Sequence, residues 1–283
     1  PRSGRRGAPR KYSDLAIETA LTLRLVYDLS LRETEGFWRT LLGILDLGLD
    51  APNHTTLSRR SRQINIDLTP RTSAGPIDLI IDSTGLSIVG QGEWAAAKHG
   101  KQGKRGWRKL HIGVKGAGEI FAQDLIDRNV DDAETDVELI DSVKDDITCV
   151  IGDTAYDTAA IYEAASARGA KVLVPPVRRA VVSRSKLPLL ARDKSVLRVN
   201  AVGRRKWKKV TGYHRLGRVE NTFYSYKPII CGKLRARHDK AEVVGAALAC
   251  RVLSRMGELG MPKSVAAAAC SGWCSGYASL RSI

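Results

Sequence analysis

The chain has 283 residues, 43% of them hydrophobic, and a formal net charge of +16. This composition excludes a disordered chain, and no apolar run reaches the roughly 18 residues that a membrane-spanning helix needs. The basic N-terminus is not followed by an apolar segment of signal-peptide type, and the five cysteines are odd in number and irregularly spaced. We therefore expect a reduced, cytoplasmic protein without a membrane partner.

The charge is unevenly distributed along the chain. Residues 1–70 carry a net +3, residues 71–160 a net −6 and residues 161–283 a net +19. A chain polarised in this way is suited to lie against a polyanion. Nucleic acid is the first candidate and an anionic membrane surface the second, but no basic amphipathic helix with an aromatic or leucine face supports a membrane.

Three short helices are predicted within residues 1–70, in 13–28, 29–47 and 52–64. The second is one helix or two short ones. Arg59, Arg60 and Arg62 lie on the third, and a triplet with a basic last helix suits a DNA-binding helix-turn-helix. A small helical bundle with a solvated arginine face fits the pattern equally well. Residues 71–76 are rich in proline, glycine and serine and are interpreted as a linker.

Residues 77–262 are predicted to form an α/β unit. The pattern indicates a strand at 77–85, a hairpin of strands 109–116 and 119–128, a helix, a strand at 147–157, another helix and a strand at 170–176. These elements predict a mixed sheet with antiparallel and parallel pairs, flanked by helices. Residues 177–212 look irregular and very basic. A helical face returns at Val219, a final helix spans 241–260, and 263–283 is a tail of low information.

Two aspartates occupy the same kind of position in this unit. Asp82 ends the buried run of the first strand, and Asp153 ends the strand in residues 147–157. Because carboxylates at neighbouring strand ends project into one crevice, we expect them to lie together. A shared divalent metal would remove their repulsion, and hard oxygen ligands suit Mg²⁺ or Mn²⁺. Taken singly, each Asp is as typical of a turn or a helix N-cap.

Glu220 is predicted to supply the third metal ligand from a following helix. Tyr213, Glu220 and Lys227 are seven residues apart, so on a continuous helix they lie along one stripe. The aromatic hydroxyl and the ammonium suit a place where metal and phosphate meet. A lone Glu in a basic helix otherwise makes ordinary ion pairs.

Two further basic segments are candidate DNA contacts. Residues 94–109 mix tryptophans with Lys and Arg, which favours a DNA-contacting loop that includes Trp107, Arg108 and Lys109. Arg204, Arg205 and Lys206 are predicted to bind phosphates. His99 and His111 suit metal ligands, but isolated histidines are more often structural.

These motifs resemble those of the DDE transposases of insertion sequence family five. The resemblance is carried by IDSTG, GDTAYD, WRKLHIGV and YHRLGRVENTFYSYK, and it extends to the helical N-terminal region. The family's last block reads Tyr, two residues, Arg, three residues, Glu, six residues, Lys. Tyr213, Glu220 and Lys227 fit, but Leu216 stands where the block has Arg. Arg215 and Arg218 flank that position and are expected to compensate.

The resemblance implies a ribonuclease-H-like catalytic domain and DNA transposition. Asp82, Asp153 and Glu220 would hold two divalent ions that serve phosphodiester cleavage at element ends and 3′-hydroxyl strand transfer into target DNA. It also implies a homodimer on double-stranded DNA with terminal inverted repeats, no nucleotide cofactor, and a bacterial, nucleoid-associated protein. Two alternatives remain open: a structure-specific nuclease on the same fold, and a catalytically inactive DNA-binding derivative.

Overall fold

The computed structural model describes residues 11–68, 75–89, 106–116, 118–130, 132–183 and 190–260. The helices are α1 (Asp14–Val26), α2 (Leu31–Ile44), α3 (His54–Arg60), α4 (Asp132–Ser142), α5 (Ala159–Ala167), α6 (Ala191–Val202), α7 (Arg204–Val210), α8 (Gly217–Tyr226) and α9 (Asp239–Leu259). The strands are β1 (Ile77–Ile88), β2 (Trp107–Val114), β3 (Ile120–Asp127), β4 (Ile147–Ile151), β5 (Lys171–Leu173) and β6 (Lys233–Leu234). Across these ranges, no helix combines the length and the apolar character that crossing a membrane requires.

The strands form one mixed sheet in the order β3-β2-β1-β4-β5, and β6 pairs with the end of β1. β1, β2 and β3 are antiparallel neighbours, whereas β4 and β5 run parallel to β1. Three antiparallel strands followed by parallel ones form the sheet of the ribonuclease-H-like fold. The predicted α/β class and its mixed sheet are therefore confirmed.

Helices cover both faces of the sheet, and the alternation of side chains along β1 assigns each residue to a face. Ile80 and Leu86 pack with residues of α8 and α9, on what we call the α8/α9 face. Leu79 and Ile81 pack with residues of α4 and α5, on the α4/α5 face. Asp82 has the parity of Ile80, so it belongs to the α8/α9 face.

The N-terminal helices form the predicted triplet. Ser13 caps α1, and a capping box begins α2, which continues through Gly36 as one helix. Ile17 and Leu57 are fully buried in a cluster that also contains Ala247 and Leu248 of α9. The N-terminal helices therefore share a hydrophobic core with the α/β unit. The linker prediction falls largely on residues outside the described ranges, and the division into domains stays a prediction.

Two predicted elements differ from the structure. Residues 177–212 were expected to be irregular, but they contain α6 and α7, because Val196, Val199 and Trp207 form a buried face among the basic residues. The first strand was expected to end near Asp82. It continues to Ile88, because Leu86 and Ile88 return to the core and this segment pairs with β2 and β6.

Candidate active site

Asp82 and Asp153 lie at the same level on neighbouring parallel strands. β1 pairs with β4 so that Ile80 faces Ile151, and each Asp comes two residues after its paired isoleucine. Neighbouring strands are about 4.8 Å apart. β4 ends at Ile151, so the chain around Asp153 leaves the sheet where Asp82 is still within β1. The structure thus brings the two aspartates together at the carboxyl end of β4.

A short turn holds Asp153 in place. Its carboxylate accepts a hydrogen bond from the backbone N–H of Ala155 at 2.8 Å and so caps the 3₁₀ turn Thr154–Tyr156. The ring of Tyr156 is buried directly behind this turn. A Cβ atom on Gly152 would lie 2.9 Å from two ring atoms of Tyr156. Glycine at 152 therefore allows the tyrosine to pack under the residue that carries the carboxylate.

We expect Gly152→Ala to lower the free energy of unfolding by about 1–3 kcal/mol, because either the Tyr156 ring or the backbone at Asp153 must move. Metal-dependent DNA cleavage should fall by more than the loss of folded protein explains. Gly36→Ala is the matched control, since nothing lies within 4 Å of a Cβ there and the change should stabilise α2 by about 0.5–1 kcal/mol. Thermal unfolding and cleavage assays on both variants test this, and equal behaviour of the two would contradict it.

Glu220 approaches the aspartates from α8. This helix packs on the α8/α9 face through Val219 and Phe223, and the exposed Glu220 follows Val219 directly. Burial raises the pKa of the Asp82 carboxyl above its usual range, and the negative charges of Asp153 and Glu220 raise it further. The backbone N–H of Ser83, which donates to Asp82 at 2.8 Å, opposes this shift. The charges of Asp153 and Glu220 therefore act on the carboxyl group of Asp82.

Tyr213 lies among the same three acids. It begins the 3₁₀ turn Tyr213–Leu216 that precedes α8, so it is not part of the regular helix that carries Glu220. Burial, followed by the charges of Asp153, Glu220 and Asp82, raises the pKa of Tyr213 to about 12. Its ring lies 5.9 Å from Trp207 and accepts the ammonium of Lys208 at 4.8 Å from the ring centroid. The phenol thus links the acidic cluster to the basic helix α7.

The donor set fits a divalent cation, although no metal centre is preformed. In the part of the chain that the structure describes, no group of three or more His, Cys, Asp or Glu side chains is arranged to hold a metal ion. Burial is the main cause of the raised pKa of Asp82, and the negative charges of Asp153 and Glu220 add to it. A bound cation relieves such repulsion. The oxygens of Asp82, Asp153 and Glu220 are ligands of the type that Mg²⁺ and Mn²⁺ prefer.

The residues around the last sequence block make different contacts. Lys227 is exposed and begins a π turn, Lys227–Cys231, after α8. Leu216 is only 8% exposed and belongs to the core on the α8/α9 face. Arg215 forms an ion pair with Asp78 at the beginning of β1. The guanidinium of Arg218 lies over Gly116 in the β2–β3 turn. These two arginines therefore contact other parts of the fold, and their DNA-binding role stays a prediction.

Two of the arginines predicted on the third helix, Arg59 and Arg60, are not equivalent, and Arg62 lies beyond the end of α3. Arg60 is 8% exposed, donates to the carbonyl oxygen of Tyr12 and pairs with Asp14, so it fixes α3 to the start of α1. Arg59 is exposed. Of these two, only Arg59 is thus presented for an external contact.

The candidates in residues 94–109 are only partly within the described ranges, since residues 90–105 lie outside them. Trp107, Arg108 and Lys109 belong to β2. Trp107 is 40% exposed and covers Gly85 on the neighbouring strand. Lys109 pairs with Asp132 at the beginning of α4. Arg108 pairs with Glu242 and Asp239 of α9, and Glu242 is 2% exposed. The charges of Arg108 and Lys109 therefore join β2 to helices on opposite faces of the sheet.

We expect Arg108→Met to lower the free energy of unfolding by about 3 kcal/mol or more, because it leaves the buried carboxylate of Glu242 without its partner. The double variant Arg108→Met/Glu242→Met should recover much of that loss. Thermal unfolding measures both. A role in DNA binding would instead appear as a smaller salt dependence of DNA affinity with normal stability, which is the result that would contradict the structural role.

Basic side chains of α7 surround one buried anchor. Trp207 is 2% exposed, whereas its basic neighbours Arg205, Lys206, Lys208 and Lys209 are exposed. Arg204 donates to the carbonyl oxygen of Pro176 and so begins the helix against the end of β5. Of the three predicted phosphate-binding residues, Arg205 and Lys206 are thus free to face solvent, and Arg204 has a contact within the protein.

The sequence analysis named His111 singly, but it did not predict the cluster beside the aspartates to which His111 belongs. His111 on β2 contacts Asp136 on α4, and both are buried. The available signal was the spacing: Lys109 and His111 share a face of one strand, and Asp132 and Asp136 are one helical turn apart. Only the packing of α4 on β2 brings the two pairs together.

Comparison with known proteins gives matches over most of the chain. Two family models, both described as a transposase DDE domain, match residues 1–91 and residues 73–256. Among solved structures, the Drosophila P element transposase strand transfer complex matches at 12% identity with a TM-score of 0.30. The alignment covers 61% of this chain and 42% of that chain. A TM-score this low does not establish a common fold, so the fold assignment rests on the strand order.

Proposed function

We infer that this chain, which belongs to the DDE transposase family, is a DNA transposase that cleaves phosphodiester bonds at element ends and transfers the 3′-hydroxyl ends to target DNA. One observation supports the location of the catalytic site. Asp82 and Asp153 lie at matching positions on neighbouring parallel strands, and Glu220 on α8 adds its charge to the same carboxyl group. This grouping supports Asp82, Asp153 and Glu220 as the catalytic acids.

The residues have distinct proposed roles. Asp82, Asp153 and Glu220 would hold two divalent ions, Mg²⁺ or Mn²⁺, which supply activation of the attacking oxygen and stabilisation of the leaving oxygen. Tyr213 is placed to orient a phosphate beside these acids, because its phenol remains protonated and can donate a hydrogen bond. Lys227 is exposed beyond α8 and would neutralise a phosphate as a point charge. No nucleotide cofactor is needed, because strand transfer exchanges one phosphodiester bond for another.

The substrate is double-stranded DNA with terminal inverted repeats, bound by a homodimer. The exposed basic side chains of α7 support this proposal, because one of them, Lys208, contacts the ring of Tyr213 beside the proposed catalytic acids. Arg59 on α3 is a second exposed candidate. Membership of insertion sequence family five and a nucleoid-associated location in a bacterium belong to the same proposal.

We expect Arg205→Ala and Lys206→Ala each to reduce the slope of log affinity against log salt by about 1, because each removes one phosphate contact. Affinity should fall by a similar factor for every DNA sequence. Lys171→Ala is the control, since Lys171 is an exposed basic residue on β5, away from α7 in the sequence. Fluorescence anisotropy at several salt concentrations gives the slopes, and unchanged slopes in both variants would exclude α7 from the DNA path.

A strand-transfer assay tests the reaction itself. Pre-cut ends with inverted repeats, supercoiled target DNA and Mg²⁺ should give joined products. Cleavage without joining would indicate the structure-specific nuclease. Binding to inverted repeats with neither reaction would indicate the inactive DNA-binding derivative.

A further inference from the structure

A cleft of about 200 Å³ opens beside Asp82, at the place where β4 has ended and β1 and β2 continue. Its walls include four aspartates and one histidine: Asp82, Asp132, Asp136, Asp153 and His111. Glu220, on the α8/α9 face, is not among the residues that line it. The cleft therefore adjoins the proposed catalytic acids but extends toward the α4/α5 face.

His111 is held rigidly at the base of this cleft. It lies opposite Ser83 in the β1–β2 pairing and is 1% exposed. Its Nδ1 atom is 2.7 Å from an oxygen of Asp136. With Asp136 as a carboxylate, which only accepts hydrogen bonds, Nδ1 carries a proton, and in the neutral ring Nε2 then has a lone pair. A carboxylate that accepts from the second ring nitrogen is the usual support of a metal-binding imidazole.

The Nε2 atom of His111 is buried and has no hydrogen-bond partner. The Oδ1 atom of Asp132 lies 3.5 Å from Nε2, which is beyond the range of an N–H···O hydrogen bond. That oxygen already accepts from Lys109. A buried polar atom without a partner is costly, so Nε2 is best explained by a ligand in the cleft that accepts its lone pair.

The charge of the cleft decides the chemistry of that ligand. Four carboxylates and the single ammonium of Lys109 on Asp132 leave an excess of negative charge, which excludes an anion. An acceptor nitrogen among carboxylate oxygens matches the ligand set of a divalent ion. A mixed nitrogen and oxygen set suits Mn²⁺ better than Mg²⁺, which prefers oxygen ligands and retains its waters.

We propose that this cleft binds a divalent cation with the Nε2 atom of His111 as a nitrogen ligand, supported from behind by Asp136. The inference deepens the proposed function and rests on it, because the cleft shares Asp82 and Asp153 with the catalytic acids. His111 gives this site a preference for Mn²⁺ over Mg²⁺ that three carboxylates alone do not provide.

The competing explanation is purely structural. In it, His111 is an imidazolium between Asp136 and Asp132 and only ties β2 to α4. The two explanations differ in one observable, which is whether a nitrogen nucleus is bonded to the bound ion.

The experiment uses the whole chain, stripped of metal with a chelator and titrated with Mn²⁺ without DNA. Electron paramagnetic resonance of free Mn²⁺ gives the affinity, and electron spin echo envelope modulation detects a coordinated ¹⁴N nucleus. The wild-type protein should show the ¹⁴N signal. His111→Asn, whose amide retains a donor near the position of Nδ1, should lose that signal and bind Mn²⁺ about tenfold or more weakly. Asp136→Asn should keep the signal but bind about tenfold more weakly.

His238→Asn is the matched control, because it removes an imidazole at the beginning of α9 and should change neither readout. Thermal unfolding verifies that each variant is folded. A ¹⁴N signal that is absent from the wild type or persists in His111→Asn overturns the proposal. If Mn²⁺ then still binds and Asp82→Asn weakens it, the proposed function stands without His111. If the wild type binds no Mn²⁺, both the inference and the proposed metal chemistry fail.

Discussion

We expect Asp153→Asn to lower the rate of Mg²⁺-dependent strand cleavage by about three orders of magnitude, the equivalent of ~4 kcal/mol in the transition state. The amide preserves the size of the side chain and accepts the hydrogen bond from the Ala155 N–H through its own oxygen. The change therefore removes one of the three negative charges of the proposed site without removing the cap of the 3₁₀ turn. DNA affinity should be unchanged or slightly higher, because a charge that repels phosphate is lost.

Three comparisons make this prediction specific. Asp82→Asn and Glu220→Gln should show losses of similar size, since all three carboxylates belong to the same proposed site. Asp141→Asn, on an exposed position of α4, is the control and should cleave at the wild-type rate. Cleavage of labelled end DNA under single-turnover conditions gives the rates. An Asp153→Asn protein that keeps more than a tenth of the wild-type rate would contradict the assignment.

The second large effect concerns Leu216, at the position where the family's last block has Arg. We expect Leu216→Arg to lower the free energy of unfolding by about 3 kcal/mol or more, rather than to restore activity. Leu216 is 8% exposed in the cluster that contains Trp207 and Val219. The buried side chains that share this cluster are hydrophobic, and burying a charge among such side chains is among the largest causes of destabilisation.

Leu216→Met provides the control, because a volume-conserving apolar change in a core costs less than about 1.5 kcal/mol. Chemical denaturation gives both free energies, and the strand-transfer assay gives both activities. If Leu216→Arg folded with wild-type stability and joined DNA faster, the position would be a vacant arginine site instead of a core position. Arg215, which flanks this position, forms an ion pair with Asp78, and its compensating role stays a prediction.

Much of the fold was predictable from the sequence, because local patterns carry it. The continuous apolar run Leu79, Ile80 and Ile81 before Asp82 identifies a buried strand, and the capping residues Ser13 and Asn53 mark two helix starts. The basic stretch before Glu220 was misinterpreted for a physical reason. Helix α7 has seven residues and buries only Trp207, so its sequence, which is mostly Lys and Arg, lacks the repeated apolar positions that indicate a helix.

The sequence does not show which Lys and Arg side chains form ion pairs within the protein. Arg60, Arg108 and Lys109 look like DNA ligands in a basic chain, yet each has an acidic partner distant in sequence: Asp14, Glu242 and Asp132. Composition counts such residues as available positive charge. The number of basic side chains that are free to contact DNA is therefore smaller than the 46 Lys and Arg residues of the chain, and exposed ones are concentrated on elements such as α7.

The sequence by itself determined the class of the protein, because strand periodicity and the three acidic blocks are local features that survive without coordinates. Tertiary structure decided how those blocks meet. The parallel register of β1 and β4 sets Asp82 level with Asp153, and the packing of α8 adds Glu220 from one face. The packing of α4 on β2 places Asp136 against His111 on the other face. Such contacts join residues far apart in the chain, and their energies depend on burial and on neighbouring charge, which only the folded chain defines.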